Sequence, residues 1–167
     1  MNIGELLVNV ITVLLFYFFI SRTFTLRRLH WICRGIGLML LFVLITLLNL
    51  MNIAPTITCV SGLICQILYT MVFAEGSRGA RLLIGGIPAL LAVVSDSVTF
   101  SVLGILFQDT SEALTVNSAI RSQALVIYIL TYCLLIWAVI QFFPQDLKFP
   151  GYFEGVIFLT CGLGVFA

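Results

Sequence analysis

The chain has 167 residues, 62% of them hydrophobic and only 9% charged, with a formal net charge of +1. A soluble domain carries roughly 25% charged residues, so this composition excludes an ordinary water-covered globule, and the near-zero charge excludes a nucleic-acid binder that works by bulk electrostatics. Inside hydrocarbon every backbone polar group must be satisfied internally, which leaves helices or a closed barrel. The uninterrupted apolar runs at 13–20 and 38–48 lack the alternation of barrel strands and point to helices.

A membrane-spanning helix needs about 20 mostly apolar residues. In chain order the expected spans are 3–20, 31–52, 55–73, 82–107 and 124–143, followed by a partial run at 155–167 that is too short to cross. The expected fold is therefore all-α: a polytopic helical membrane bundle, a single integral domain over 1–167, with five full transmembrane helices plus a partial sixth. The first segment has no basic stretch before its apolar run and no small-x-small cleavage site after it, so it reads as a retained span rather than a signal peptide. In the fourth segment Pro88, following Gly85 and Gly86, is the expected kink.

The charges set an orientation. Arg22, Arg27, Arg28 and Arg34 flank the first connection, Arg78 and Arg81 the third, and Lys148 the fifth; Arg121 alone falls on the other side, near Asp109 and Glu112. The excess of Lys and Arg marks the cytoplasmic side, which places the N-terminus outside. The basic cluster of Arg22, Arg27, Arg28, Arg34, Arg78 and Arg81 reads first as a topology determinant that touches anionic lipid headgroups. His30 beside Trp31 reads as an interfacial residue.

Asp96 is the sharpest candidate for function. It sits inside the fourth segment, in Ser95-Asp96-Ser97-Val98-Thr99. A charge at membrane depth costs at least a few kcal/mol, so such a residue should face the bundle interior or water. With Ser97, Thr99, Asn49 and Gln66 it could line a polar ligand pocket. The alternative is helix–helix hydrogen bonding that fixes packing. Asp109, Glu112 and Asn117 could meet a cationic ligand group, or form a solvated loop. Gly151 and Gly155 have a weak GxxxG spacing outside any apolar 20-mer.

No catalytic motif is present: no phosphate-binding loop, nucleophile elbow, HExxH or Rossmann fingerprint. The single histidine, His30, excludes a multi-histidine zinc site. Cys33, Cys59, Cys65, Cys133 and Cys161 form no CxxC pair, and all but Cys33 lie in apolar runs, where cysteine behaves as a small hydrophobe. The expectation is a non-enzyme without metal or cofactor, with the lipid bilayer as its constant partner and no nucleic acid.

The short loops, the basic first connection Thr25-Leu26-Arg27-Arg28, the run Gly79-Ala80-Arg81-Leu82-Leu83 and the acid-bearing fourth segment resemble the N-terminal membrane sensor of bacterial GHKL-type histidine kinases, above all the accessory-gene-regulator type. In that family the acid is often Glu where this chain has Asp96. The likeness spans about residues 1–150. It implies a bacterial plasma-membrane protein that detects an extracellular peptide or envelope signal, forms a homodimer and signals to a cytoplasmic kinase domain beyond residue 167. On that view the partial sixth run reads as truncated, and the chain as the sensing half of something larger. A membrane-embedded substrate-binding subunit of an energy-coupling-factor transporter is the main rival, though the bulky first segment (Leu14, Leu15, Phe16, Tyr17, Phe18) lacks a small-residue docking surface. A structural membrane protein with no small ligand is the third reading. Reporter fusions after Arg28 and Arg78 are expected to read cytoplasm and one after Glu112 the exterior; the reverse pattern would overturn the orientation.

Overall fold

The computed structural model describes residues 3–27, 31–50, 55–106 and 118–142. They form five helices: α1 (Ile3–Thr23), α2 (Trp31–Leu50), α3 (Pro55–Phe73), α4 (Arg78–Leu106) and α5 (Ser118–Phe142). Four contain stretches long and apolar enough to cross a membrane, Gly4–Thr23, Trp31–Leu50, Arg78–Leu106 and Ile120–Gln141. The protein is thus an all-α, multi-pass membrane protein by architecture. The expectation of five full spans plus a sixth is corrected: the apolar part of α3, Ile57–Phe73, is shorter than the other four. Thr58, Ser61, Gln66 and Thr70 interrupt its apolar character. The run 155–167 lies outside the described residues, as do Arg28, His30, Asp109, Glu112, Asn117, Lys148, Gly151, Gly155 and Cys161.

The helices close into a ring in chain order. α1 packs on α2, α2 on α3, α3 on α4, α4 on α5 and α5 back on α1, while α4 also touches α1 across the middle. Outward faces carry Leu14, Leu40, Leu68 and Leu134, all more than half exposed. In water that would be costly; against lipid tails it is the favourable arrangement.

The core lies toward the end where the arginines cluster. Phe16, Phe19 and Ile20 of α1, Tyr69 of α3, Ile84 of α4 and Tyr132 and Ile136 of α5 are buried together there. Tyr69 meets Phe16 edge-on at 5.4 Å between ring centroids and lies against Phe73 at 4.6 Å. Such aromatic pairs contribute about 0.5–1.5 kcal/mol beyond their burial.

Two connections are clasped at the same end. Leu26 and Ala74 form an antiparallel bridge. The amide of Arg27 donates to the carbonyl of Phe73, and that of Glu75 to the carbonyl of Thr25, each at 2.9 Å. Gly76, at φ +138°, makes the turn that follows, a conformation L-residues rarely adopt. Ser77 then caps α4, accepting on its Oγ from the Ala80 amide at 3.2 Å. Arg81 is buried and reaches back to donate to the carbonyl of Met71 at 2.6 Å, engaging the last turn of α3.

α4 approaches α3 most closely at Gly85, where a Cβ would lie 2.8 Å from Thr70 Oγ1 and 2.9 Å from Thr70 Cβ. The helix continues unbroken through Pro88, which is buried. Pro88 has no amide to give the carbonyl of Ile84.

Gly85→Ala is expected to destabilise the protein by about 1–3 kcal/mol through overpacking against Thr70. Gly62→Ala, whose Cβ would meet nothing within 4 Å, is expected to leave stability unchanged or slightly raised. Equilibrium unfolding in mixed micelles measures both. Equal behaviour of the two variants would refute the close α3–α4 contact.

Candidate functional site: a cavity lined by all five helices

Toward the end away from the core the helices leave space between them. A cavity of about 640 Å³ lies inside the ring, with every helix in its wall. α1 contributes Val8, Asn9 and Thr12; α2 Ile45 and Asn49; α3 Thr58, Cys59, Gly62 and Gln66; α4 Ala89, Ala92, Asp96, Thr99 and Phe100; α5 Arg121, Ala124 and Tyr128. A second space of about 430 Å³ shares Val8, Asn9, Asn49, Arg121 and Leu125 and adds Glu5. It lies beside the first turns of α1 and α5.

The residues singled out from sequence do not all converge. Asn49, Gln66, Asp96 and Thr99 line the cavity. Ser97 is not in its wall; it is exposed and its Oγ donates to the carbonyl of Val93 at 3.0 Å. At 1.5 Å per residue, Asp96 lies about 15 Å from the Leu106 end of α4 and about 22 Å from Arg81. The carboxyl is therefore nearer the Leu106 end than the basic one.

The cavity's polar groups fall into two sets. The first is internally satisfied. Asn49 Nδ2 donates to Asn9 Oδ1 at 3.0 Å, and Asn9 Nδ2 makes a long contact with Thr46 Oγ1 at 3.4 Å. This relay joins α1 to α2. Tyr128 and Thr12 hydrogen-bond across α5 and α1. Arg121 forms an ion pair with Glu5, tying the first turns of the same two helices together.

The second set is not satisfied. Gln66 is 3% exposed, yet its Oε1 has no hydrogen-bond partner. The hydroxyls around Asp96 are engaged elsewhere: Ser95 donates to the Leu91 carbonyl, Thr99 to that of Ser95 and Ser101 to that of Ser97, each at 2.8 Å. These are bonds to the helix's own backbone four residues back. The hydroxyls therefore offer Asp96 no protons. An unpaired buried acceptor costs about 1–3 kcal/mol, so Gln66 Oε1 calls for a donor from water or a ligand.

Sequence reading missed Asn9, Thr12, Cys59 and Tyr128. Asn9 had a signal, since it is an amide inside an otherwise apolar first segment. Cys59 reads as an ordinary apolar-run cysteine but is exposed in the structure and lines the cavity. Nothing in the sequence pairs Tyr128 with Thr12.

Comparison with protein-family models, with curated proteins and with solved structures finds no match.

Asn9→Ala removes the acceptor for Asn49, and the double variant with Asn49→Ala isolates their coupling. Interhelical hydrogen bonds in membranes are worth about 0.6–2 kcal/mol. A coupling energy in that range, from unfolding in mixed micelles, is the expected result; strict additivity would show that the relay contributes nothing to holding α1 against α2.

Proposed function

We propose that this chain is the membrane sensor module of a signal-transducing histidine kinase of the bacterial plasma membrane. Its cavity takes a small extracellular ligand, a peptide or an envelope-derived molecule. The observation that carries this reading is the cavity of about 640 Å³ with walls from all five helices, lying toward the end opposite the basic cluster. That volume lies within the range of about 300–1,000 Å³ typical of small-molecule sites. With the basic end cytoplasmic, the cavity lies toward the outer side and the N-terminus is outside.

The wall geometry suits a sensor. A ligand in the cavity touches every helix at once, so its binding energy bears on how the helices splay. The opposite end is fixed by the aromatic core and the backbone clasp, and the cytoplasmic connections are where a change in splay is read. A homodimer, packed through the apolar outer faces, completes the signalling unit.

A photoreactive benzoylphenylalanine at Phe100, which lines the cavity, tests the reading in living cells. Cells given peptide-containing culture fluid are expected to yield a crosslinked peptide adduct at Phe100. The adduct should disappear when Ala92→Trp fills the cavity, and should not form with the probe at Leu134 on an outward face. Absence of any Phe100 adduct sinks the sensor reading. Purification of the full chain as a stable complex with ATPase subunits would replace it with the transporter reading.

A further inference from the structure

We propose that the cavity's ligand carries a protonated amine or guanidinium on an apolar body, with the cation seated on Asp96 and a donor hydrogen-bonded to Gln66 Oε1. This rests on the ligand-binding reading above and adds the chemical class.

The argument is an inventory of donors and acceptors. Several of the cavity's donors are already engaged: Asn49 Nδ2 by Asn9, Asn9 Nδ2 by Thr46 and Arg121 by Glu5. The α4 hydroxyls of Ser95 and Thr99 donate to backbone carbonyls. Two acceptors in the wall stand out. Gln66 Oε1 is buried and unpaired. Asp96 lines the same space, and no donor among the described residues reaches its carboxylate. Thr99 lines the cavity with its proton given to the Ser95 carbonyl.

Charge points the same way. Arg121 and Glu5 cancel each other, leaving Asp96 as the uncompensated charge of the cavity wall. An anion would meet the Asp96 carboxylate and the Gln66 oxygen, and among the described residues the one cation lining the cavity, Arg121, is already paired with Glu5. A wholly apolar ligand would leave Gln66 Oε1 unpaired and strip water from Asp96. Phe100, Leu103, Ala92 and Ile45 supply the surface for an apolar body. A low-dielectric wall with one sign of charge concentrates counter-ions by about ten- to a thousandfold.

Cys59 provides a reporter, because it is exposed and lines the same cavity as Asp96. The test uses the full chain in a neutral detergent with Cys33, Cys65, Cys133 and Cys161 replaced by serine. Cys59 is reacted with trimethylammonium-ethyl methanethiosulfonate and, separately, with the sulfonatoethyl analogue. Each rate is divided by that for free glutathione, and the ratio of the two removes any effect of thiolate fraction.

The expected cation-to-anion ratio is about tenfold or more. It should fall toward one in Asp96→Asn and persist in Asp96→Glu. Phenylethylamine should protect Cys59 better than phenylacetate. Equal normalised rates for the two reagents in the chain that keeps Cys59 and Asp96 would overturn the cation inference while leaving an accessible binding cavity. A preference that survives Asp96→Asn would overturn the assignment to Asp96. Reaction with neither reagent would show a closed interior, and the binding reading falls as well.

Discussion

Helices in lipid gain nothing from hydrophobic association, because the tails are as apolar as leucine. What holds this ring together must be dispersion packing and hydrogen bonds: the aromatic packing is concentrated at the basic end, while hydrogen bonds join helices at both ends. Phe16, Phe19, Tyr69 and Tyr132 bring four large rings into one buried cluster, each gaining many small contacts that lipid would match less closely. The two clasped connections add backbone bonds from Arg27 and Glu75. Toward their other ends the helices leave room between them. The residues facing the gap are small where they could have filled it: Gly62, Ala89, Ala92 and Ala124. The cavity follows from large side chains at one end and small ones at the other.

Within that opening, the polarity of α4 is less than its sequence suggests. Ser95, Ser97, Thr99 and Ser101 look like a hydrophilic stripe, yet each returns its proton to the carbonyl four residues back. This satisfies the hydroxyls in a solvent that offers no alternative. It also means they cannot stabilise the one charged residue among them. A carboxylate without local donors is tolerable only beside water or a cation, and the cavity supplies room for either. The same helix that hides four hydroxyls thus leaves its carboxyl dependent on what enters the ring.

The helices were largely legible because apolar runs in lipid have few other ways to satisfy their backbone. Their ends were less so. Counting apolar residues starts the fourth span at 82, but α4 begins at Arg78, because Ser77 caps it and Arg81 is accommodated by the Met71 carbonyl. The fifth span reads from 124, yet α5 starts at Ser118, and Arg121 there is held by Glu5, 116 residues earlier. A charge excluded from a span by composition can belong to its helix when a partner is nearby in space. Asp96, Gln66 and Asn49 were visible as polar residues in apolar runs. That they share one cavity, while Ser97 does not, depends on helix rotation that composition does not encode. The clasp of Thr25–Arg27 on Phe73–Glu75 had no signal beyond two short basic connections.

The arrangement also constrains how events at Asp96 reach the basic end. Between them α4 is one continuous helix, about 22 Å from Asp96 to Arg81. Its lower part is fixed twice against α3, at Gly85 on Thr70 and at Arg81 on the Met71 carbonyl. A helix held at two points near one end cannot slide without breaking both contacts, so displacement near Asp96 must become bending or pivoting. The weakest place for bending is Pro88, where the carbonyl of Ile84 lacks its amide partner. Pro88 lies between the fixed part and the cavity, and it is buried against neighbouring helices rather than exposed to lipid. The upper part of α4 can therefore tilt about Pro88 while the lower part stays on α3. Tilt changes the packing of α4 on α5, and α5 carries Tyr132 and Ile136 into the aromatic core. α5 lines the cavity through Arg121, Ala124 and Tyr128 and enters the core through Tyr132 and Ile136, so one helix joins the two regions.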